Sequence, residues 1–229
     1  MHVKILSWNI WIDGHFEEIK EVLKNSHADI LALQEVQEND PERQVIPYLT
    51  SLGYEHVFDS VTETWDGKVW KLGPAIFSTY PILLSNTHVL SEENKRIAVQ
   101  ADIQIENKVL HVFSTHLSHT HQQNSDAQKA QAVELLQHVP NDMSIVMGDF
   151  NATPESTTIQ EMKKVLRDTD QNDQPTWSVY PEGCKGCNPQ KIDTRLDYIF
   201  TTKDIQTHSY TVENSKASDH LPISVIVEL

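Results

Sequence analysis

Apolar runs of period two and of period near 3.6 alternate along the whole chain. The cleanest alternation spans 96–105. There Ile97, Val99, Ala101, Ile103 and Ile105 share one face, and Gln100, Asp102 and Gln104 share the other. It predicts a strand with one buried side. Residues 108–115 predict its hairpin partner across the turn at Glu106-Asn107. Further strands are expected over 3–10, 29–34, 54–58, 69–78, 143–147, 196–201, 207–212 and 223–229, and another segment over 82–90 follows the turn at Pro81. Helical spacing predicts helices over 16–24, 41–52, 121–138 and 159–166, the second stopping at Gly53. No repeat, low-complexity stretch or linker breaks the pattern, so 1–229 reads as one domain. Many strands and few helices imply mixed sheets packed face to face with helices outside.

Composition changes this picture little, but charge does. The chain has 229 residues, 38% of them hydrophobic, and no run long enough for a membrane span. No signal peptide is visible, which places the protein in the cytoplasm by expectation, as a monomer. Lys and Arg number 18 against 33 Asp and Glu, a formal charge of −15. Proteins that hold long polyanions usually show a basic face. Here Lys4, Lys95-Arg96 and Lys163-Lys164 are scattered. Small phosphate esters therefore suit the chain better than long DNA or RNA.

Seven polar signatures close hydrophobic runs in sequence order: Ser7-Trp8-Asn9, Leu33-Gln34-Glu35-Val36, Gly73-Pro74-Ala75-Ile76, Ser114-Thr115-His116-Leu117, Gly148-Asp149-Phe150-Asn151, Arg195-Leu196-Asp197-Tyr198 and Ser218-Asp219-His220-Leu221-Pro222. Magnesium takes oxygen ligands and keeps several waters, so one or two carboxylates suffice to hold it. Glu35 ends a buried strand and suits that task. Asn9 can bond a neighbouring carboxylate or approach the metal. Asp149 and Asn151 straddle Phe150, and in extended chain they point to one side. A histidine near a carboxylate, such as His220 after Asp219, can stabilise or protonate a phosphoryl oxygen. Singly, each of these residues reads as a cap or a turn; jointly they read as one site.

The ordered set resembles the endonuclease/exonuclease/phosphatase superfamily, the DNase I-like proteins, from Asn9 to His220. The resemblance implies a four-layer α/β sandwich: two mixed β-sheets face to face, helices outside, the site at one sheet edge. It implies that Glu35, Asn9 and Asp219 lie at a Mg2+ ion, with Mn2+ as a substitute. It implies that Asp149 orients the attacking water and Asn151 contacts phosphate. Asp197 would fix the tautomer of His220, as the middle member of a triad does. His116 matches the Thr-His-Leu histidine of DNase I-like and sphingomyelinase-like members. Abasic-site endonucleases carry Pro-Asn near this point, which counts against a repair endonuclease. The function expected is a Mg-dependent phosphodiesterase or phosphatase attacking in line with an activated water. Its phosphate-ester substrate stays open among a small molecule, a phospholipid headgroup and a nucleic acid. A DNase I-like endonuclease is the alternative within enzymes, and a catalytically silent binding module on the same fold the alternative outside them.

Other features read as ordinary structure. Cys184 and Cys187 sit in a Gly-rich loop with no second cysteine pair, so a surface loop is expected. His116, His119 and His121 suggest a zinc site, but 12 histidines make such clusters common, and a solvated or substrate-facing loop is favoured. Asp168, Asp170 and Asp173 lack the glycine and glutamate of a calcium loop and read as a solvated connection. The tryptophans are core by default, although Trp65 and Trp70 flank an Asp66-Gly67 turn and one of them is expected to line the pocket. Arg96 is expected either to meet substrate phosphate or to form an ion pair.

Overall fold

The computed structural model describes all residues except Asn39, Asp66, Val179, Pro181, Gly183 and Lys185 and the side chain of Trp65. The predicted Asp66-Gly67 turn, a pocket role for Trp65 and parts of the cysteine loop therefore lie outside the described residues. The elements run β1 (His2–Asn9), α1 (Phe16–Ser26), β2 (Ile30–Gln37), α2 (Val45–Ser51), β3 (Glu55–Phe58), β4 (Val61–Trp65), β5 (Lys68–Ser78), β6 (Ile82–Ser91), β7 (Arg96–Ile105), β8 (Lys108–His116), α3 (Asp126–His138), β9 (Ser144–Asp149), α4 (Thr157–Val165), β10 (Arg167–Asp168), β11 (Asp197–Thr201), β12 (Gln206–Val212) and β13 (Ile223–Glu228). Among the described residues no helix is long and apolar enough to cross a membrane.

Two sheets form. One has the order β12-β13-β1-β2-β5-β3, with β4 also on β5; the other has the order β10-β11-β9-β8-β7-β6. Three apolar layers explain why they stack. Val3, Ile5 and Ile30 of the first sheet meet Val99, Ala101 and Ile145 of the second between the sheets. Ile19 and Leu23 of α1 and Leu49 of α2 cover the outer face of the first sheet through Leu31, Leu33 and Phe77. Ala132 and Leu135 of α3 and Ile159 and Met162 of α4 cover the second through Phe113, Val146 and Phe200. The result is the expected four-layer α/β sandwich. The strand β7 shows the logic: Val99, Ala101 and Ile103 enter the central layer, while Ala98 on the opposite face is buried beneath the helices.

Among the described residues each sheet has one parallel pair at its centre, β1 with β2 and β8 with β9, and the other pairs are antiparallel. Parallel partners end at the same edge. Asn9, Glu35, His116 and Asp149 therefore finish, or nearly finish, their strands together. The antiparallel neighbour β11 begins at that edge, with Asp197 opposite Asp149. Gly148 permits the close crossing of β8 and β9: its φ is 150°, and a Cβ there would meet the Thr115 carbonyl oxygen at 2.0 Å.

Some expectations need correction. The helix expected from 121 begins at Asp126, because the Ser125 hydroxyl accepts the Gln128 amide N–H and caps it there. The helix expected from 41 begins at Val45. Before it, buried Arg43 turns back to donate to the carbonyls of Ile10 and Ile12. Asp168 and Asp170 are not solvated. They are buried and, with Asp173, surround the buried Arg195 guanidinium, which meets Asp168 through two bonds of 2.9 and 2.7 Å.

Candidate active site

The two sheet edges frame a cleft of about 640 Å3, lined by seven of the eight sequence-predicted residues: Asn9, Glu35, His116, Asp149, Asn151, Asp219 and His220. The eighth, Asp197, is fully buried behind His220. The sequence-predicted set thus converges without exception.

Asn9 ends β1 and is almost fully buried. Its amide Nδ2 donates to Glu35 Oε1 and to Asp149 Oδ2, both at 3.0 Å, so one side chain from the first sheet ties a carboxylate from each sheet. The register of β2 on β5 slips between Leu33 and Val36, and Glu35 takes a φ of 59° there. This bulge re-aims Glu35 into the cleft. The Ile12 N–H holds its other oxygen at 2.7 Å. Burial and the charge of Asp219 raise the Glu35 carboxyl to about 7, against the opposing pull of Asn9, His220 and Ile12.

Asp149 accepts the Asn151 backbone N–H at 2.8 Å. Strand alternation does not bring Asn151 to the cleft, because β9 stops at Asp149 and Asn151 turns with a φ of 49°. Phe150 between them packs edge-on against Tyr198 and Phe200, anchoring the turn. The Asn151 amide donates to His116 Nε2 at 3.0 Å and to the Leu117 carbonyl at 3.1 Å, and its oxygen faces His119 Nδ1 at 2.9 Å. Burial and the nearby Arg96, His220 and His119 lower His116 to about 4, against Asp149, so this imidazole is neutral with Nε2 as acceptor.

His220 is the opposite case. Burial lowers its pKa, but the carboxylates of Asp197, Asp149 and Asp219 outweigh that and raise it well above the ordinary value. Its Nδ1 donates to Asp197 Oδ2 at 2.8 Å, which leaves Nε2 3.6 Å from Asp149 Oδ2. The Thr176 hydroxyl also donates to Asp197, at 2.6 Å. The Ser218 hydroxyl donates to the Asn9 carbonyl at 2.7 Å and accepts the His220 N–H, fixing the Ser-Asp-His turn to the end of β1.

Sequence reasoning missed two residues. The Trp177 indole N–H donates to Asp219 Oδ2 at 3.0 Å, and Thr176 orients Asp197. Nothing in a Pro-Thr-Trp run marks either role, since a tryptophan is core by default. Arg96 faces the cleft and pairs with Glu63 at 2.7 Å, so the ion-pair reading holds. The cysteine loop is less superficial than expected: Cys184 is buried, bonded to Cys187, and lies at the cleft beside His119 and His121.

The residues present fit a divalent cation. Among the described residues Arg96 is the one Lys or Arg lining the cleft, and it is already paired. Glu35, Asp149 and Asp219 crowd one another around a single charged imidazole, His220, which is already bonded to Asp197. Asp149, Asp197 and His220 also bring ligand-type atoms together, although the charged His220 pairs with both carboxylates instead of ligating.

The fold has parallels among solved structures. An endonuclease/exonuclease/phosphatase from Bacteroides vulgatus matches at 21% identity and TM-score 0.81, covering 100% of this chain and 99% of its own. One from Beutenbergia cavernae matches at 20% identity and TM-score 0.80, covering 100% and 72%. The human Nocturnin catalytic domain with bound sulfate matches at 20% identity and TM-score 0.76, covering 99% and 94%. No curated protein sequence matches the chain. The sequence profile of the Endonuclease/Exonuclease/phosphatase family matches residues 6–220, and the chain belongs to that family, whose members are generally hydrolases of phosphate esters.

Proposed function

We propose that the chain is a Mg2+-dependent phosphoric ester hydrolase, a phosphodiesterase or phosphatase, acting as one domain over 1–229. The two sheets share a single central core, which supports the one-domain reading. The observation that carries the function is the Asn9 amide joined to both Glu35 and Asp149, with His220 Nε2 beside that same Asp149 oxygen. Cation anchor, proton acceptor and charged imidazole thereby sit within one side-chain length. Glu35 and Asp219, with Asn9 adjacent, would hold Mg2+, with Mn2+ as a substitute. The ion would supply charge to a phosphoryl oxygen.

Asp149 orients the attacking water and accepts its proton. On substrate binding the Asn151 N–H now given to His116 Nε2 would turn to a non-bridging oxygen, and the freed His116 would donate to another once Nε2 carries the proton. His220, kept charged and fixed by Asp197, stabilises the departing oxygen and can protonate it. Among the described residues six carboxylates and one arginine line the cleft, which favours a small phosphate ester over a long polyanion. The test is hydrolysis of a panel of phosphomonoesters, phosphodiesters and oligonucleotides with magnesium, using Glu35→Ala as the blank. Turnover of at least one ester is expected, at least about a hundredfold above the blank. Equal rates in both proteins would refute the assignment.

A further inference from the structure

Beside the cleft, and apart from the carboxylates just described, four side chains from two distant loops meet at one point. His119 and His121 come from the loop between β8 and α3; Cys184 and Cys187 come from the loop between β10 and β11. His119 Nε2 lies 3.4 Å from Cys184 Sγ and 3.5 Å from Cys187 Sγ. His121 Nδ1 lies 3.5 Å from Cys184 Sγ and 3.4 Å from Cys187 Sγ. The two ring nitrogens are 3.2 Å apart, with the rings edge to face.

A tetrahedral zinc ion at its usual bond lengths needs roughly 3.3 Å between nitrogens, roughly 3.6 Å from nitrogen to sulfur and roughly 3.8 Å between sulfurs. Five of those six edges are already set. The sixth is the covalent Cys184–Cys187 bond. A disulfide alone gives no reason for two imidazoles to aim ring nitrogens at both sulfurs and at each other. A metal does.

Three further contacts fit a metal centre. The Cys187 N–H donates to Cys184 Sγ at 3.1 Å, a bond that favours a thiolate there. The loop approaches His121 so closely that a Cβ on Gly186 would stand 3.0 Å from the ring. On the far side of the other imidazole, His119 Nδ1 lies 2.9 Å from Asn151 Oδ1. A histidine that ligates through Nε2 commonly donates its other N–H to such an oxygen, which fixes tautomer and ring.

We propose that His119, His121, Cys184 and Cys187 form a closed Zn2+ site in the reduced protein. It pins the loops that carry these pairs together at the cleft rim and sets the orientation of Asn151 through His119. A dithiol reductant converts the Cys184–Cys187 bond into two thiols and itself into a disulfide. Binding of Zn2+ then releases the two thiol protons. With all four positions filled by protein, the zinc has a structural role and offers no site to substrate. The sequence hides this site because it splits the ligands into His-x-His and Cys-x-x-Cys halves more than sixty residues apart.

The test is zinc content of protein reduced with a phosphine, loaded with zinc and desalted, read by elemental analysis. Cobalt loading and visible absorption give a second readout. Wild type should hold about one zinc ion per chain and, with cobalt, show the thiolate charge-transfer and strong tetrahedral bands of an S2N2 centre. Glu35→Ala should keep both signals, so the outcome does not depend on the cleft's own cation. Cys184→Ser/Cys187→Ser and His121→Ala should lose the thiolate band and the tightly held zinc. Wild type that retains no zinc, or a double cysteine variant that retains as much as wild type, would overturn the proposal. The wild-type measurement decides the matter even if a variant fails to fold.

Discussion

Replacement of Glu35 by Gln should shift the stability of the metal-free protein in the variant's favour as pH rises from 4.5, with the full effect above 7. Glu35 is half-buried, and its carboxyl stands at about 7 instead of 4.5 because burial and Asp219 oppose its charge. Below pH 4.5 it is neutral in folded and unfolded chains alike and contributes nothing. Between pH 4.5 and 7 the unfolded chain releases a proton that the folded chain keeps, so stability falls as pH rises, and above 7 the deficit is complete. A shift of that size corresponds to at most about 3 kcal/mol, and water reaching the cleft trims it to about 1–3 kcal/mol. Gln leaves one amide hydrogen facing a donor, Asn9 Nδ2 or the Ile12 N–H, but that cost is the same at every pH.

The assay is urea unfolding followed by tryptophan fluorescence, on wild type and Glu35→Gln, at pH 4.5 and pH 8 without divalent ions. The stability difference should move toward the variant by about 1–3 kcal/mol between the two pH values. Magnesium at pH 8 should then raise the wild type and leave the variant where it was, because only the ion-binding folded state gains. A pH-independent difference, or equal stabilisation of both proteins by magnesium, would refute the reasoning.

Two further outcomes follow from the buried networks. Asp197→Asn should lower kcat by at least about a hundredfold with little change in KM, because the carboxylate that holds His220 charged and oriented is gone. The alkaline limb of the pH–rate profile should also move to lower pH, since one of the three charges that raise His220 is removed. An unchanged profile would contradict the role given to this pair. Arg195→Ala should cost about 3–5 kcal/mol in urea unfolding, because it strands buried Asp168 and Asp170 without their guanidinium. A loss below about 1 kcal/mol would show the network to be dispensable.

The parts of this molecule written in local periodicity were legible from sequence. β7 was read at its observed bounds, because alternation over ten residues has one strong solution. β4 and β10 were not, since a five-residue and a two-residue edge strand carry too little pattern. The eight predicted site residues come together because β1, β2, β8 and β9 end, and β11 and β13 begin, at one edge of the two sheets. What stayed hidden depends on approach in space between distant segments. The Asp168 and Asp170 carboxylates read as solvated until Arg195 folded onto them. Trp177 and Thr176 carry roles that only their partners, Asp219 and Asp197, reveal. His121 looked like the start of a helix because Ala127, Ala130 and Val133 continue the period, while the Ser125 cap decides where the helix begins.

The most direct measurement of the central claim is anomalous scattering at the manganese edge from a crystal soaked in Mn2+. The account predicts a peak in the cleft about 2.0–2.2 Å from a Glu35 carboxylate oxygen, next to Asp219 and Asn9. A manganese peak confined to other surfaces, with the Glu35 carboxylate bare, would contradict it.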